Sequence, residues 1–276
     1  MKRLVMMAVA MMAVATSVLA EEAKVAAPAA AAPVAVKEAA PNTGLSFATT
    51  LDLYSAYVWR GCVVNDRPVW QPGATVSYAT GNYGTLSANV WGNFDMTDRN
   101  RHYTGGGLSE LDYMASYAID VGPVSLSVGH IWYTFPKVNG PDYGSSTREV
   151  YATAQYNTDI VNPFVKVYYD YEFVEGCYGN VGVNKTIKIN DRFSVGSEVS
   201  LGVGDGNYMS AYFATDEDAG LVDFNASLFA TYSITDHITV GPRLAWMSLV
   251  DKGARDADVY YDKDIVWGGV NLAASF

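Results

Sequence analysis

Catalysis by this sequence would have to begin with its three histidines or two cysteines, and their surroundings offer little to work with. A nucleophile needs a base within hydrogen-bond reach and a third group to orient that base. His102 and His237 fall in a loop and a turn, and His130 lies in an extended segment with no motif around it. Cys62 and Cys177 are spaced too widely to make a metal motif. No glycine-rich loop follows a strand and opens a helix, so a nucleotide phosphate has no cradle. The expectation is a protein without enzymatic activity, cofactor or metal, in which His130 is a structural residue at an interface.

The chemistry that remains is charge. Seven acids (Asp52, Glu110, Asp112, Asp170, Glu172, Glu198 and Asp223) and four bases (Arg60, Lys166, Lys188 and Arg243) fall on the polar sides of alternating segments. If those sides line a common space, the space is mildly acidic, and rings of carboxylates favour cations. Internal pairing that leaves little net field is an equal alternative. Arg60 falls at the outer end of the first such segment. It is either a charge at the mouth of a channel or half of a salt bridge that stiffens the wall; both place it inside.

The elements that position these groups are extended. In residues 45–60 the odd positions include Leu45, Phe47, Leu51, Leu53, Tyr57 and Trp59, and the even ones carry Asp52 and Arg60. Side chains alternate across a strand, so this reads as one strand with one apolar face. The same alternation recurs around Leu86–Phe94, Val124–Trp132, Val165–Phe173, Phe193–Val203 and Phe224–Tyr232. Short turn signals at 80–83, 121–123, 158–162, 190–191 and 235–237 alternate with mostly longer ones at 61–68, 96–106, 134–147, 175–177, 204–220 and 251–259. Five turns and six loops connect twelve strands. Ten or fourteen are also open, because 204–220 has room for a further hairpin around Tyr208–Ala214.

Most of these runs exceed ten residues, near the ~9–11 that cross a bilayer at a tilt, whereas sandwich strands are usually ~5–6. Tight turns at one end and long loops at the other are the arrangement of a transmembrane barrel. Closing the sheet pairs every backbone group that would otherwise face lipid. The expected fold is therefore all-β: an antiparallel up-and-down β-barrel of about twelve strands over residues 45–276. Its last strand carries Val266, Val270, Leu272 and Phe276 on an apolar face, the kind of ending that outer-membrane assembly machinery reads.

Residues 1–20 read as a secretory leader: Lys2 and Arg3, an apolar run from Leu4 to Ala15, and small residues ending at Ala20. Residues 21–44, rich in Ala and Pro, read as a periplasmic linker. No later stretch has the 18 or more consecutive apolar residues of a spanning helix. The net charge of −11 becomes more negative once the leader is lost, which excludes nucleic acid, whose binding rests on Lys and Arg at phosphates. Aromatics make up 13% of the residues, with 20 tyrosines, suited to boundaries that are dry on one side and wet on the other. Cys62 follows the first strand and Cys177 precedes the eighth, so both belong at the outer mouth. In an oxidising compartment they are expected to pair across the opening; two separate thiols are the alternative.

Ser55-Ala56-Tyr57-Val58-Trp59-Arg60-Gly61, followed by Pro68-Val69-Trp70-Gln71-Pro72-Gly73, resembles the first hairpin of the TorF family of porins. The likeness covers about twenty of the 276 residues, and Cys62 stands where that family usually has an aliphatic residue. The resemblance implies an outer-membrane barrel and a channel, and no particular substrate. The function expected from sequence is an outer-membrane porin of a Gram-negative-type bacterium, passing small solutes by diffusion through a narrow, mildly acidic lumen. The alternative is a non-conducting barrel for surface interaction or envelope structure, which inward Tyr54, Trp91, Tyr151, Tyr168 and Trp267 would favour. Outer-membrane lipid and the assembly machinery are the other expected partners.

Overall fold

A computed structural model describes residues 43–98, 106–136, 146–216, 218–257, 259 and 262–276. The expected leader, the linker up to residue 42 and His102 lie outside the described residues. The first strand, β1 (Thr43–Tyr54), starts two residues before the expected Leu45 and ends six before the expected Arg60. Two short strands follow, β2 (Tyr57–Trp59) and β3 (Cys62–Asn65), paired only with each other. The other wall strands are β4 (Val69–Thr80), β5 (Thr85–Asp95), β6 (Gly107–Val121), β7 (Val124–Thr134), β8 (Ser146–Tyr156), β9 (Asn162–Asp170), β10 (Cys177–Asn190), β11 (Phe193–Asp205), β12 (Ala219–Ser233), β13 (Ile238–Leu249) and β14 (Asp264–Ser275).

Twelve antiparallel strands close into one barrel, with β1 hydrogen-bonded to β4 on one side and β14 on the other. Phe47 and Phe276 exchange backbone bonds of 2.9 and 2.8 Å at the seam, so the last residue completes the closure. The alternation read from sequence is the alternation of the wall. Leu45, Phe47 and Leu53 are exposed on the outside, while Asp52 and Tyr54 are buried inside. Leu51, Val90, Val167, Val199 and Leu272 lie on the same outer side as Leu53 by strand parity. Ring pairs Trp70–Phe94, Tyr113–Trp132 and Phe224–Trp246, with centroids 4.9–5.6 Å apart, form an aromatic rim at the long-loop end. Such belts sit at membrane–water interfaces.

Long loops and short turns alternate as expected, with one correction in each of two loops. Residues 206–213 form a helix, α1 (Gly206–Phe213), instead of a further hairpin. Asp205 caps it by accepting from the Tyr208 amide at 2.9 Å, and Tyr208, Met209 and Phe213 are buried on one face. The segment expected as the outer end of the first strand and the loop after it is the β2–β3 hairpin. A second short helix, α2 (Lys252–Asp256), lies in the loop before β14.

Candidate functional site in the lumen

The β2–β3 hairpin turns through Arg60 and Gly61, whose φ angles are +46° and +85°. Two consecutive left-handed residues make the tight, twist-matched turn of a two-residue hairpin. Gly61 is needed twice over. Its φ favours glycine, and a Cβ there would stand 2.9 Å from Val222 Cγ1 and 3.1 Å from Leu249 Cδ2. The hairpin therefore lies inside the barrel against β12 and β13. At its base Tyr57 packs on Trp91 of β5, centroids 5.7 Å apart. Asn65 donates to Asp95 at 2.6 Å there as well.

Arg60 at the tip reaches the far wall. Its Nη1 and Nη2 bond the two oxygens of Glu149 on β8 at 2.7 and 2.9 Å. Tyr133 of β7 donates to the same carboxylate at 2.8 Å. The guanidinium carbon is 3.8 Å from the ring centre of Tyr168 on β9, 4.6 Å from Trp59 and 5.1 Å from Tyr178 on β10. Around the barrel β9 is six strands from β1 in either direction, so the Arg60 side chain carries the hairpin's contacts to the side of the lumen opposite β1. Tyr208 of α1 donates to the Arg60 carbonyl at 3.0 Å, and Tyr212 packs edge-on against Trp59 at 5.2 Å. Hairpin and helix thus pack against each other in the outer part of the lumen.

Both members of the ion pair are buried, with side chains 4% and 5% exposed. Burial alone would lower the Arg60 guanidinium, but the charge and hydrogen bonds of Glu149, together with the Tyr133 and Tyr168 phenols, outweigh it and hold the group well above its ordinary value. Burial, reinforced by the charge of Glu110, pushes the Tyr57 phenol well up, so it stays neutral. A bidentate arginine–carboxylate pair with a further donor on the carboxylate is the geometry in which buried attraction offsets desolvation.

The expected lumen residues divide into three groups. Asp52, Glu110, Asp112, Asp170, Asp223 and Arg243 are buried on the inner side of the wall. Asp52 accepts from Tyr54 at 3.3 Å and Asp223 from Tyr178 at 2.9 Å. Asp170 accepts from Thr147 at 2.7 Å and from three amides of the following loop. Arg243 donates to Ser227 at 3.0 Å. Lys166, over the Phe164 ring at 4.6 Å, and Glu198 are half-buried on the same inner parity. Arg60 is interior, but as the tip of the hairpin and not as part of the first strand.

Two residues are not in the lumen. Glu172 lies beyond β9 and pairs at 2.9 Å with Arg148, whose guanidinium stands over the outward-facing Trp132. Lys188 is exposed at the short-turn end, paired with Asp191 at 2.8 Å. In both cases alternation predicts the side but not the depth at which a strand leaves the wall. Cys62 and Cys177 are not joined in a disulfide: Cys62 is buried in the hairpin, its Sγ 3.9 Å from the Arg60 carbonyl, and Cys177 is half-buried at the start of β10. His130 meets Tyr171 on the outer rim at 2.7 Å, and His237 stacks on Phe276.

Glu149 and Tyr133, which hold Arg60, are not among the charged residues that alternation picks out for the lumen. A signal was there, since Glu149 shares the parity of the inward Tyr151. Below the plug the lumen is lined by small polar side chains, among them Ser77 and Ser87, in contact at 2.8 Å, and Asn89 with Thr75.

A closed antiparallel cylinder of twelve strands, apolar outside and polar within, has the fold of porin-type outer-membrane β-barrels. The chain belongs to the Gcw_chp family of bacterial proteins of unknown function, whose model matches residues 38–236. No curated protein matches it. Among solved structures it is similar to the COG4313 outer membrane channel from Pseudomonas putida F1, with 11% identity, 89% of this chain and 100% of that chain covered, and a TM-score of 0.56. The NanC porin gives 14% identity over 83% of this chain and 98% of its own, with a TM-score of 0.47. The KdgM porin gives 12% over 84% and 99%, with a TM-score of 0.46.

Proposed function

We propose that this chain is an outer-membrane channel for small solutes, closed near its outer mouth by its own β2–β3 hairpin. The observation that carries this reading is the hairpin lying across the lumen and clasped to the opposite wall through Arg60 and Glu149. The wall is complete without it, because Tyr54 of β1 pairs directly with Val69 of β4. Beneath the plug, hydroxyl and amide side chains offer water a polar lining. Inward carboxylates outnumber inward bases, which favours cations once the path is open. The local likeness to TorF porins over residues 55–61 and 68–73 points the same way. On this reading the chain is exported by its leader, inserted by machinery that reads the strand ending at Phe276, and held in the outer membrane of a Gram-negative-type bacterium.

The same plug supports a second reading, a non-conducting barrel with a structural or surface role. Replacing residues 55–68 by Asn-Gly joins β1 and β4 through a two-residue turn. In planar bilayers the intact chain should show small or rare openings and the shortened chain steady ones. A shortened barrel that folds, inserts and stays silent would reject the channel in favour of the structural role.

A further inference from the structure

The tip of the hairpin occupies a pocket that belongs to the wall. Tyr133, Glu149, Tyr168 and Tyr178 come from four consecutive wall strands and converge on one guanidinium. Of the rings around Arg60 in those contacts, only Trp59 travels with the hairpin. Once Arg60 leaves, the pocket keeps two tyrosine rings, a tyrosine hydroxyl and a carboxylate with no cation beside it. A carboxylate left there without a partner takes up a proton, meets water or accepts a replacement cation, and a cation that restores its lost bonds stabilises it most.

The chemistry of the replacement is specified. Both Glu149 oxygens are spaced to receive two N–H groups of one planar fork, which a guanidinium presents and an ammonium does not. The ring centre 3.8 Å from the guanidinium carbon adds cation–π attraction for a flat, weakly hydrated cation. We infer that the wall carries a binding site for guanidinium-bearing organic cations, with Arg60 as its built-in occupant, and that such a cation unseats the hairpin by competing for Glu149. The inference rests on the hairpin being a movable closure, and it adds the class of solute that moves it. Arg60 competes intramolecularly, so a free cation is needed at a concentration on the order of millimolar or above.

Cys62 reports the event. It is 1% exposed in the docked hairpin, while Cys177 in the same chain is half-buried and serves as reference. The full chain in detergent micelles is treated with a maleimide in the presence of agmatine, or of cadaverine at equal ionic strength. Agmatine should raise the Cys62 labelling rate several-fold, leave Cys177 unchanged, and act more strongly than cadaverine. Equal effects of the two amines, or no effect of agmatine, would overturn the inference. Calorimetric titration gives a second measure. Arg60→Ala should bind agmatine at least tenfold more tightly than the unaltered chain, and adding Glu149→Gln should abolish that binding. A folded Arg60→Ala chain that binds no agmatine would also overturn it; if the variant does not fold, the labelling of the unaltered chain decides. Neither readout uses conductance, so a silent bilayer recording would defeat the channel and leave the binding site to be judged on its own.

Discussion

Arg60 and Glu149 are 89 residues apart in sequence, yet their side chains meet in a two-pronged contact of 2.7 and 2.9 Å across the inside of the barrel. The contact links the hairpin to β8, and the rings of Trp59, Tyr168 and Tyr178 stand beside the buried guanidinium.

Its removal from one side should be costly. Arg60→Ala leaves Glu149 buried without a counter-charge, and breaking a buried pair costs about 3–5 kcal/mol. Hydrogen exchange of a peptide covering the hairpin should show its opening free energy fall by that order. Arg148→Ala breaks the rim pair with Glu172, whose side chains are 39% and 37% exposed, and should change the same quantity by ~0–1 kcal/mol. Equal effects of the two variants would mean that the clasp does not hold the hairpin.

Gly61→Ala should loosen the plug without touching the clasp chemically. The added methyl meets Val222 at 2.9 Å and the backbone is held at φ +85°. Strain of this kind costs on the order of 1–3 kcal/mol. Limited proteolysis from the outer face should cut within 55–68 faster in the variant than in the parent. An unchanged cleavage rate would show that the turn has room the geometry denies it.

Spin labels should separate the two sides of the wall. A label at Leu53, 48% exposed on the outer face, should report lipid. One at Asp52, 5% exposed on the inner face, should report the polar interior. Equal accessibility to a water-soluble relaxant at both sites would contradict the register of β1.

Ion preference should follow the inner charges. Among the described residues Asp52, Asp95, Glu110, Asp112, Glu149, Asp170 and Asp223 are buried inward against Arg60 and Arg243, with Lys166 and Glu198 half-buried. Reversal potentials across a salt gradient should show cation preference in the shortened barrel. The preference should weaken as salt rises, because the Debye length is ~10 Å at 0.1 M and shrinks from there. Anion preference would mean that Arg243 governs the narrowest point.

The cysteines should behave as two thiols. Mass spectrometry of unreduced protein should recover Cys62 and Cys177 peptides separately, with Cys177 modified first under native conditions and Cys62 after unfolding. A single linked peptide would restore the disulfide that the sequence suggested.

The sequence makes the wall legible because a wall obeys one rule. Each strand faces lipid on one side and the lumen on the other, so Leu45, Phe47, Asp52 and Phe276 announce their sides by parity alone. The plug escapes that rule. Tyr57 and Trp59 resume the odd-position apolar pattern of β1 after a single polar residue, Ser55, at which the chain leaves the wall. Burial inside a lumen and exposure to lipid select the same residue types, so Tyr57, which is 1% exposed, is indistinguishable by type from an outward tyrosine. Gly61 was the available hint of a turn. Helix α1 was missed for a different reason. Its buried Tyr208, Met209 and Phe213 have helical spacing, but eight residues within a polar loop are too few for that period to stand out against strands on either side. Glu172 and Lys188 went astray because parity says which way a residue points and nothing about where the strand ends.

The direct pairing of Tyr54 with Val69 separates two kinds of inheritance in this chain. The cylinder depends on residues that pair along twelve edges, and almost any change there is felt by a neighbouring strand. The twelve residues from Ala56 to Arg67 lie outside that circuit of wall pairing. Lineages can therefore lengthen, recharge or discard the segment while the surrounding shell is built as before. What closes the lumen is free to drift over generations in a way that the assembly of the shell is not.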